Sequence, residues 1–389
     1  MPSHPTFPYR LFPNPRLDRT APYSLAEKWI LNRERHLEVM EEISSWPGYE
    51  PTPLLDLRPL AKELAIGRLS LKNEGVRFGL GSFKALGGAY GVLRVIQDEI
   101  QRLTRTSGVT GQEILDGAYR DIANGITVTC ASDGNHGRSV AWGAQLFGCR
   151  CFVYLPPPVS QAREAAIAEH GAVIVRTRGD YDGAVMEAQR DAQHLERFVV
   201  SDTAYEGNVN VPRDIMQGYS VLLAEALERL PASDQPTHVF LQGGVGGFAA
   251  SMVAHLWETL GPDRPAFIVV EPDCANCLFE SASLGRPVTV TDVHRTIMGC
   301  LASGEVSTLA WYILERSVDA FMSIADEAAE TAMRRLENGD PAVSVGPSGA
   351  AGLAGLMCIA GDVDARTTIG LDRSSHVLVV ATERATAGE

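Results

Sequence analysis

The stretch Thr237-His-Val-Phe-Leu-Gln-Gly-Gly-Val-Gly-Gly247 places an apolar strand directly before a glycine-rich turn, and an apolar helix pattern follows. Because glycine has no Cβ, successive backbone N–H groups of such a turn can converge on an anion, and the helix start adds its dipole. The stretch therefore predicts a phosphate-binding turn at a strand end. A tight turn without a ligand would use the same residues. A dinucleotide site would need GxGxxG rather than GGxGG, although Glu271 lies at a suitable distance for one.

Short apolar stretches alternate with helix patterns along most of the chain. Strands are predicted at 68–72, 127–131, 151–155, 173–176, 198–200, 238–242, 267–271 and 377–381. Helix patterns run over 83–101, 137–146, 161–169 and 211–230. This alternation is typical of parallel sheets covered on both faces, so the predicted fold class is α/β. Two groups of strands, at about 127–200 and 238–381, indicate two lobes.

The N-terminal region precedes this pattern. Its first 25 residues are rich in Pro and Arg and are interpreted as an arm, and one helix is predicted over 24–44 with Ser24 as its N-cap. Proline stands where a signal peptide needs an apolar core, so we expect a cytoplasmic protein. No uninterrupted apolar run of about 18 residues is present, and no membrane partner is expected.

The composition excludes further classes of function. Lys and Arg number 34 against 48 Asp and Glu, which gives a net charge of −14. Such a chain repels a phosphate backbone, so no nucleic-acid partner is expected. Seven cysteines are scattered along the chain and are interpreted as reduced thiols. Cys274 and Cys277 form a CxxC pair without a second pair of ligands nearby, so no metal is expected.

A second glycine-rich stretch, Leu80-Gly-Ser-Phe-Lys-Ala-Leu-Gly-Gly88, carries a single lysine at a helix start. Partial desolvation and the positive end of the helix would both lower the pKa of Lys84. Such a lysine is a nucleophile that can form a Schiff base with a carbonyl group. An ordinary exposed helix lysine is the alternative.

A third stretch, Cys130-Ala-Ser-Asp-Gly-Asn-His-Gly137, again joins a strand end to a helix start. Asn135 offers a hydrogen-bond donor and an acceptor at fixed geometry. His136 could act as a base, but a histidine at a helix start more often makes a local hydrogen bond. Asp133 is well placed for proton transfer or for binding an amine.

In this order, the three stretches resemble the fold-type II pyridoxal-phosphate enzymes, the group of the tryptophan synthase β-subunit and threonine dehydratase. The resemblance runs from about Pro53 to Thr382. It implies a two-lobed fold, each lobe a mostly parallel twisted sheet covered by helices, with the cofactor pyridoxal 5′-phosphate in the cleft. It assigns 1–87 and 201–389 to a large cofactor-binding domain and 88–200 to a smaller α/β domain.

Within that group, the chain resembles the diaminopropionate ammonia-lyases. Five stretches carry this resemblance: SDGNHGR at 132–138, SDTAYE at 201–206, IMQGY at 215–219, MGCLASGE at 298–305 and VGPSGA at 345–350. Serine and threonine dehydratases usually have a neutral residue where this chain has Asp133. The chain departs from the family pattern at Ser303, where relatives often have Cys, and at Arg384, where they usually have Gly.

The resemblance implies roles for the cofactor-binding residues. Lys84 would carry the cofactor as a Schiff base, Asn135 would bond the pyridoxal 3′-oxygen, and Thr382 would face the pyridine nitrogen. The phosphate would be held by Gly243, Gly244, Val245, Gly246 and Gly247.

It also implies how substrate would be handled. Lys84 would serve the L-isomer, and Asp133 would be the second acid–base group, serving the D-isomer. Asp133, Asp202 and Ser82 would contact the substrate, and Asp202 would help to recognise its amine. The alternative for Asp133 is that it only caps the following helix.

The implied activity is elimination of 2,3-diaminopropionate, in the D form, the L form or both, to pyruvate and ammonia by a homodimer. The nearest alternative is a dehydratase of serine, threonine or 3-hydroxyaspartate, which would share every cofactor residue. A NAD-dependent oxidoreductase would use the GGVGG turn but would leave Lys84 without a task. A binding protein without catalytic activity would have no need of both Lys84 and the phosphate turn.

Overall fold

The computed structural model describes residues 7–132, 134–157, 159–178 and 181–386, and its strands form two separate sheets. The described residues divide into two units. The large unit comprises residues up to 33, 51–76 and those from 222 onward. The small unit comprises 34–50 and 77–221. The predicted functional domains, 1–87 with 201–389 and 88–200, remain a proposal.

The large unit contains a seven-stranded sheet in the order β1-β10-β9-β8-β11-β3-β2. The central strands pair in parallel, whereas β1 and β2 are antiparallel edge strands. Its strands are β1 Tyr9–Pro13, β2 Leu54–Asp56, β3 Arg68–Asn73, β8 His238–Gln242, β9 Ala266–Pro272, β10 Ala320–Ile324 and β11 His376–Ala381.

The small unit contains a four-stranded, all-parallel sheet in the order β6-β5-β4-β7. Its strands are β4 Thr127–Ala131, β5 Arg150–Leu155, β6 Val173–Arg176 and β7 Phe198–Val199. Because all strands run in one direction, their carboxyl ends share one edge, where ligands of such sheets bind.

Sixteen helices accompany the sheets in the described part of the chain. They are α1 Leu25–Ile30, α2 Arg33–Ser44, α3 Arg58–Glu63, α4 Lys84–Thr104, α5 Gly111–Leu115, α6 Arg120–Gly125, α7 Asn135–Phe147, α8 Gln161–Ala168, α9 Tyr181–His194, α10 Asn210–Glu228, α11 Gly247–Leu260, α12 Cys277–Leu284, α13 Thr308–Leu314, α14 Asp326–Glu337, α15 Pro347–Ile359 and α16 Val363–Ile369. The core of the large unit includes α15, which is buried along its whole length.

The predicted α/β class is confirmed, and every predicted strand is present, with bounds that differ by at most one residue at either end. The interpretation of the first 25 residues as an arm was wrong for β1. Tyr9–Pro13 pairs antiparallel with β10, from Tyr9 opposite Ile324 to Pro13 opposite Ala320. An edge strand tolerates Pro13 because a proline at its end removes no needed N–H donor.

The single helix predicted over 24–44 was also wrong, since α1 and α2 are separate. Ser24 does cap α1: its hydroxyl accepts a hydrogen bond from the N–H of Ala26 (3.2 Å), and its own N–H donates to Glu27 Oε2 (2.9 Å). The side-chain amide of Asn32 donates to the carbonyl oxygen of Lys28 (2.8 Å). Asn32 thereby satisfies a helix-end carbonyl, and the helix stops.

Two features are absent from the described residues. No helix among them combines the length and the apolarity that crossing a membrane requires. Across the same ranges, His, Cys, Asp and Glu side chains do not gather in threes as a metal site requires.

Candidate active site

Lys84 is the first residue of α4, as predicted, and a tight turn leads into it. Gly79 and Gly81 adopt positive φ values of 71° and 78°, which glycine tolerates without strain. The guanidinium of Arg138 donates to the carbonyl oxygen of Leu80 (3.0 Å) and holds the turn. No side chain in the described ranges caps the start of α4. Lys84 therefore lies at the positive end of the helix dipole.

The ammonium group of Lys84 pairs with Asp202, which follows β7. Lys84 Nζ lies 2.5 Å from Asp202 Oδ2, and the two side chains are only 18% and 15% exposed. Burial by itself would raise the pKa of the Asp202 carboxyl, but the Lys84 ammonium and the His136 ring outweigh burial and hold that pKa well below its usual range. The prediction for Lys84 considered only its helix position and its desolvation. The buried carboxylate of Asp202 is a third influence, and it stabilises the charged form of the lysine.

His136 has a distant hydrogen-bond partner rather than the local one expected. Its Nε2–H donates to the carbonyl oxygen of Val200 (2.8 Å), 64 residues along the chain. A carbonyl oxygen only accepts, so Nε2 carries the proton. Nδ1 lies 3.9 Å from Asp202 Oδ2. His136 thus fixes the strand end that precedes Asp202.

The turn between β4 and α7 is closed by Ser132. Its hydroxyl accepts hydrogen bonds from the N–H groups of Gly134 (3.0 Å) and Gly137 (2.8 Å). Asn135, the first residue of α7, is half-buried. Asp133 lies outside the described residues, so its acid–base role stays a prediction.

Close packing of α4 against α7 brings the starts of these helices together. The hydroxyl of Ser139 on α7 donates to the carbonyl oxygen of Lys84 (2.7 Å). Gly143 allows direct backbone contact, because a Cβ there would lie 2.6 Å from the Cα of Ala89. Asn135 and Lys84 therefore lie at the same end of this helix pair. Ser82, two residues before Lys84, is buried.

In the large unit, the predicted phosphate turn joins β8 to α11. Gly244 and Gly246 have φ values of 64° and 93°, in the region that favours glycine. A Cβ on Gly246 would lie 3.1 Å from the Cβ of Ala310. No described side chain caps the first turn of α11. A glycine turn before an uncapped helix start is compatible with the predicted backbone site for an anion, which stays a prediction.

Glu271, at the end of β9, has a structural task rather than the dinucleotide role considered for it. Its carboxyl group accepts hydrogen bonds from the N–H groups of Leu278 (3.0 Å) and Phe279 (2.8 Å), at the start of α12. A Cβ on Gly243 would lie 2.3 Å from Cγ of Glu271, so the backbone of the turn is in close contact with the Glu271 side chain. Burial raises the pKa of Glu271 to about 8, so at pH 7 the group is mostly neutral and repels an anion little.

Thr382 follows β11 directly and is buried. The next residue, Glu383, forms hydrogen bonds with both the 298–305 stretch and the 345–350 stretch. Its Oε2 accepts from the thiol of Cys300 (3.1 Å), and its carbonyl oxygen accepts from the N–H of Gly346 (3.1 Å). The Cys300 N–H donates to Ser348 Oγ (3.0 Å). The motifs in the sequence marked these stretches, but only the fold shows that Cys300 and Glu383 lie together.

Comparisons with known proteins agree with one another. The family described as "Pyridoxal-phosphate dependent enzyme" matches residues 45–382. Diaminopropionate ammonia-lyase of Salmonella typhimurium is 38% identical over 369 residues, which are 91% of this chain and 90% of that protein. The crystal structure of diaminopropionate ammonia lyase from Escherichia coli in complex with D-serine aligns with a TM-score of 0.89 at 32% identity, covering 99% of this chain and 96% of that one. The same enzyme in complex with an aminoacrylate-PLP azomethine reaction intermediate aligns with a TM-score of 0.86, over the same shares of both chains.

Proposed function

The chain belongs to the diaminopropionate ammonia-lyase family of pyridoxal-phosphate-dependent enzymes, and we propose that it converts 2,3-diaminopropionate to pyruvate and ammonia. The reaction breaks the Cα–H bond and the Cβ–N bond, and the unsaturated product takes up water and releases the second ammonia. The observation that carries this proposal is Lys84, which starts an uncapped helix and is paired with a buried carboxylate.

The turn after β8 fits the phosphate group of the cofactor. Gly244 and Gly246 have positive φ values that would strain other residues, and a Cβ on Gly246 would lie 3.1 Å from the Cβ of Ala310. The adjacent Glu271 is mostly neutral at pH 7, so it does not oppose a bound dianion. The turn Gly243–Gly247 would therefore hold the phosphate through backbone donors and the start of α11. Asn135 and Thr382 would contact the pyridine ring.

Lys84 would hold the cofactor covalently through its ε-nitrogen. When bound, pyridoxal phosphate supplies an electron sink that acidifies the Cα proton of an amino acid. As a neutral amine, Lys84 then takes that proton from one face of the substrate, and we assign it to the L-isomer. The carbonyl oxygen of Lys84 accepts from Ser139, which keeps the start of α4 in place.

Asp202 supplies the negative charge that the second amine of the substrate needs. It binds the Lys84 ammonium at 2.5 Å, so it can bind a substrate ammonium in the same way once Lys84 is neutral. Ser82, on the turn before Lys84, would contribute to substrate contact. Asp133 would take the Cα proton of the D-isomer. A dehydratase that expels hydroxide needs no such cation partner.

The test is a steady-state comparison of D- and L-2,3-diaminopropionate with serine, threonine and 3-hydroxyaspartate, with oxo-acid release as the measurement. We expect kcat/KM for at least one diaminopropionate isomer to exceed that for every hydroxy amino acid by about a hundredfold or more, because the site pairs a buried charge with the second amine. A parent enzyme that prefers serine, threonine or 3-hydroxyaspartate would establish a dehydratase instead. A purified protein without visible cofactor absorption would contradict both readings.

The enzyme is further proposed to act as a homodimer in the cytoplasm. The family resemblance supports the dimer, and the acidic composition supports an aqueous compartment. Light scattering of the purified holoenzyme should give twice the chain mass of 41.9 kDa. Fractionation of the source cells should recover the activity in the cytosol, and recovery elsewhere would refute the assigned compartment.

A further inference from the structure

Tyr219, on α10, has a buried hydroxyl group that the activity proposed above does not use. The residue is 1% exposed. Throughout the described ranges, no group meets the geometry of a hydrogen bond with its phenolic oxygen, but the Lys84 ammonium is close enough to act on that oxygen as a hydrogen-bonding neighbour. Leaving a buried hydroxyl without a hydrogen-bond partner costs about 1–3 kcal/mol of folding free energy. A buried phenol with this cost therefore suggests a functional role for its hydroxyl.

The ring of Tyr219 is placed beside the amine of Lys84. It packs against the ring of Phe83, with centroids 4.7 Å apart. A Cβ on Gly87 would lie 2.3 Å from Tyr219 Cε1, so any larger residue at that position of α4 would displace the ring. Lys84 Nζ lies over the ring, 5.7 Å from its centroid.

Two charged groups influence the phenol, and both belong to the ion pair already described. Burial raises the pKa of Tyr219 far above its ordinary value; Asp202 acts in the same direction and Lys84 opposes it. His136 lies on the far side of Asp202, with Nδ1 3.9 Å from that carboxylate. Tyr219 therefore stays a neutral O–H donor across the working pH range of an enzyme.

We propose that Tyr219 is a positioning residue for Lys84, whose hydroxyl donates a hydrogen bond to the neutral ε-nitrogen when Lys84 leaves its ion pair with Asp202. This inference rests on the proposed role of Lys84 in holding the cofactor and moving the Cα proton. A carboxylate can only accept, so Asp202 cannot hold a neutral amine through the nitrogen lone pair. A phenol can, and it adds no charge that would favour reprotonation.

The test is Tyr219→Phe in the holoenzyme, which removes one oxygen and keeps the ring against Phe83 and Gly87. Tyr90→Phe is the matched control, because Tyr90 is another buried phenol of the small unit and lies on the same helix as Lys84. Losing a hydrogen bond that favours the neutral nitrogen should move the acidic limb of the kcat profile to higher pH, by roughly half a unit to one unit. The pH midpoint of the visible absorption of the bound cofactor should move the same way, independently of turnover. We expect kcat to fall about tenfold while KM stays within about twofold.

A more acidic fluorinated tyrosine at position 219 provides a second test that keeps both the hydroxyl and the shape of the side chain. As a stronger donor, it should move the absorption midpoint in the opposite direction, to lower pH, which a structural role would not do. Parental midpoints in both variants would overturn the inference. Failure of the proposed function would look different: the parent would lack cofactor absorption, or borohydride would attach the cofactor to a lysine other than Lys84.

Discussion

Replacing Asp202 by asparagine tests whether this carboxylate selects a substrate with a second amine. The change keeps the size of the side chain and removes its charge. Asp202 lies 2.5 Å from the Lys84 ammonium, and both side chains are more than four-fifths buried. The proposal places the Cβ ammonium of diaminopropionate against the same oxygen atoms. Serine carries a neutral hydroxyl group at that carbon and gains much less from the charge.

The expected size follows from the geometry. At 2.5 Å and an effective dielectric constant of about 20, the Coulomb attraction is about 7 kcal/mol. Desolvation of both ions offsets most of it, and a hydrogen bond to a charged group contributes about 1.5–3 kcal/mol net. At about 1.4 kcal/mol per tenfold, Asp202→Asn should cut kcat/KM for diaminopropionate roughly tenfold to a hundredfold more than for serine.

The assay compares two substrates on one enzyme, so that common losses cancel. Disturbance of Lys84 lowers turnover of diaminopropionate and serine alike, whereas loss of amine recognition lowers only the first. The ratio of their kcat/KM values, measured for parent and variant by pyruvate release, isolates the second effect. Asp191→Asn is the control, because Asp191 is a carboxylate of the same unit that accepts from Tyr154 (2.7 Å). If the ratio for Asp202→Asn equals that of the parent within about twofold, Asp202 does not recognise the substrate amine.

Three further variants test the remaining assignments. Lys84→Ala should lose turnover because the proton-transferring nitrogen is gone, and borohydride reduction of the parent followed by peptide mapping should find the cofactor on Lys84; label on another lysine would refute the assignment. Gly246→Val should weaken cofactor binding at least about tenfold, since φ of 93° strains a β-branched residue and its Cβ meets the wall of the turn. Gly261→Ala at the other end of α11 also has positive φ but open surroundings, so it should bind cofactor like the parent, and equal binding by Gly246→Val would place the phosphate elsewhere. Asp133→Asn should retain cofactor absorption yet lose turnover of the D-isomer by well over tenfold, about 1.4 kcal/mol of barrier, while the L-isomer reacts; unchanged D-isomer activity would reduce Asp133 to a helix cap.

Local patterns in the sequence determined most of the secondary structure and the positions of the key turns. The strand His238–Gln242 and the helix start at Lys84 lie where apolar spacing and glycines indicated. These signals act within a few residues, because strand and helix periods and the freedom of glycine are properties of the local chain. The strand Tyr9–Pro13 was not predicted, because an edge strand of five residues depends on β10 for its hydrogen bonds.

Only the tertiary structure decided which side chains meet. Asp202 is 118 residues from Lys84 in sequence. The two meet because α4 packs beside the chain after β7, where a Cβ on Gly91 would lie 3.3 Å from Val200 Cγ1. Tyr219 appeared in a family-like motif without a role, and its place beside Lys84 requires Gly87 on another helix. The pKa of Glu271 likewise follows from burial, which sequence spacing does not encode. Motifs name the reacting groups, but charge, burial and contact arise only when distant segments pack, because these energies depend on separation in space rather than along the chain.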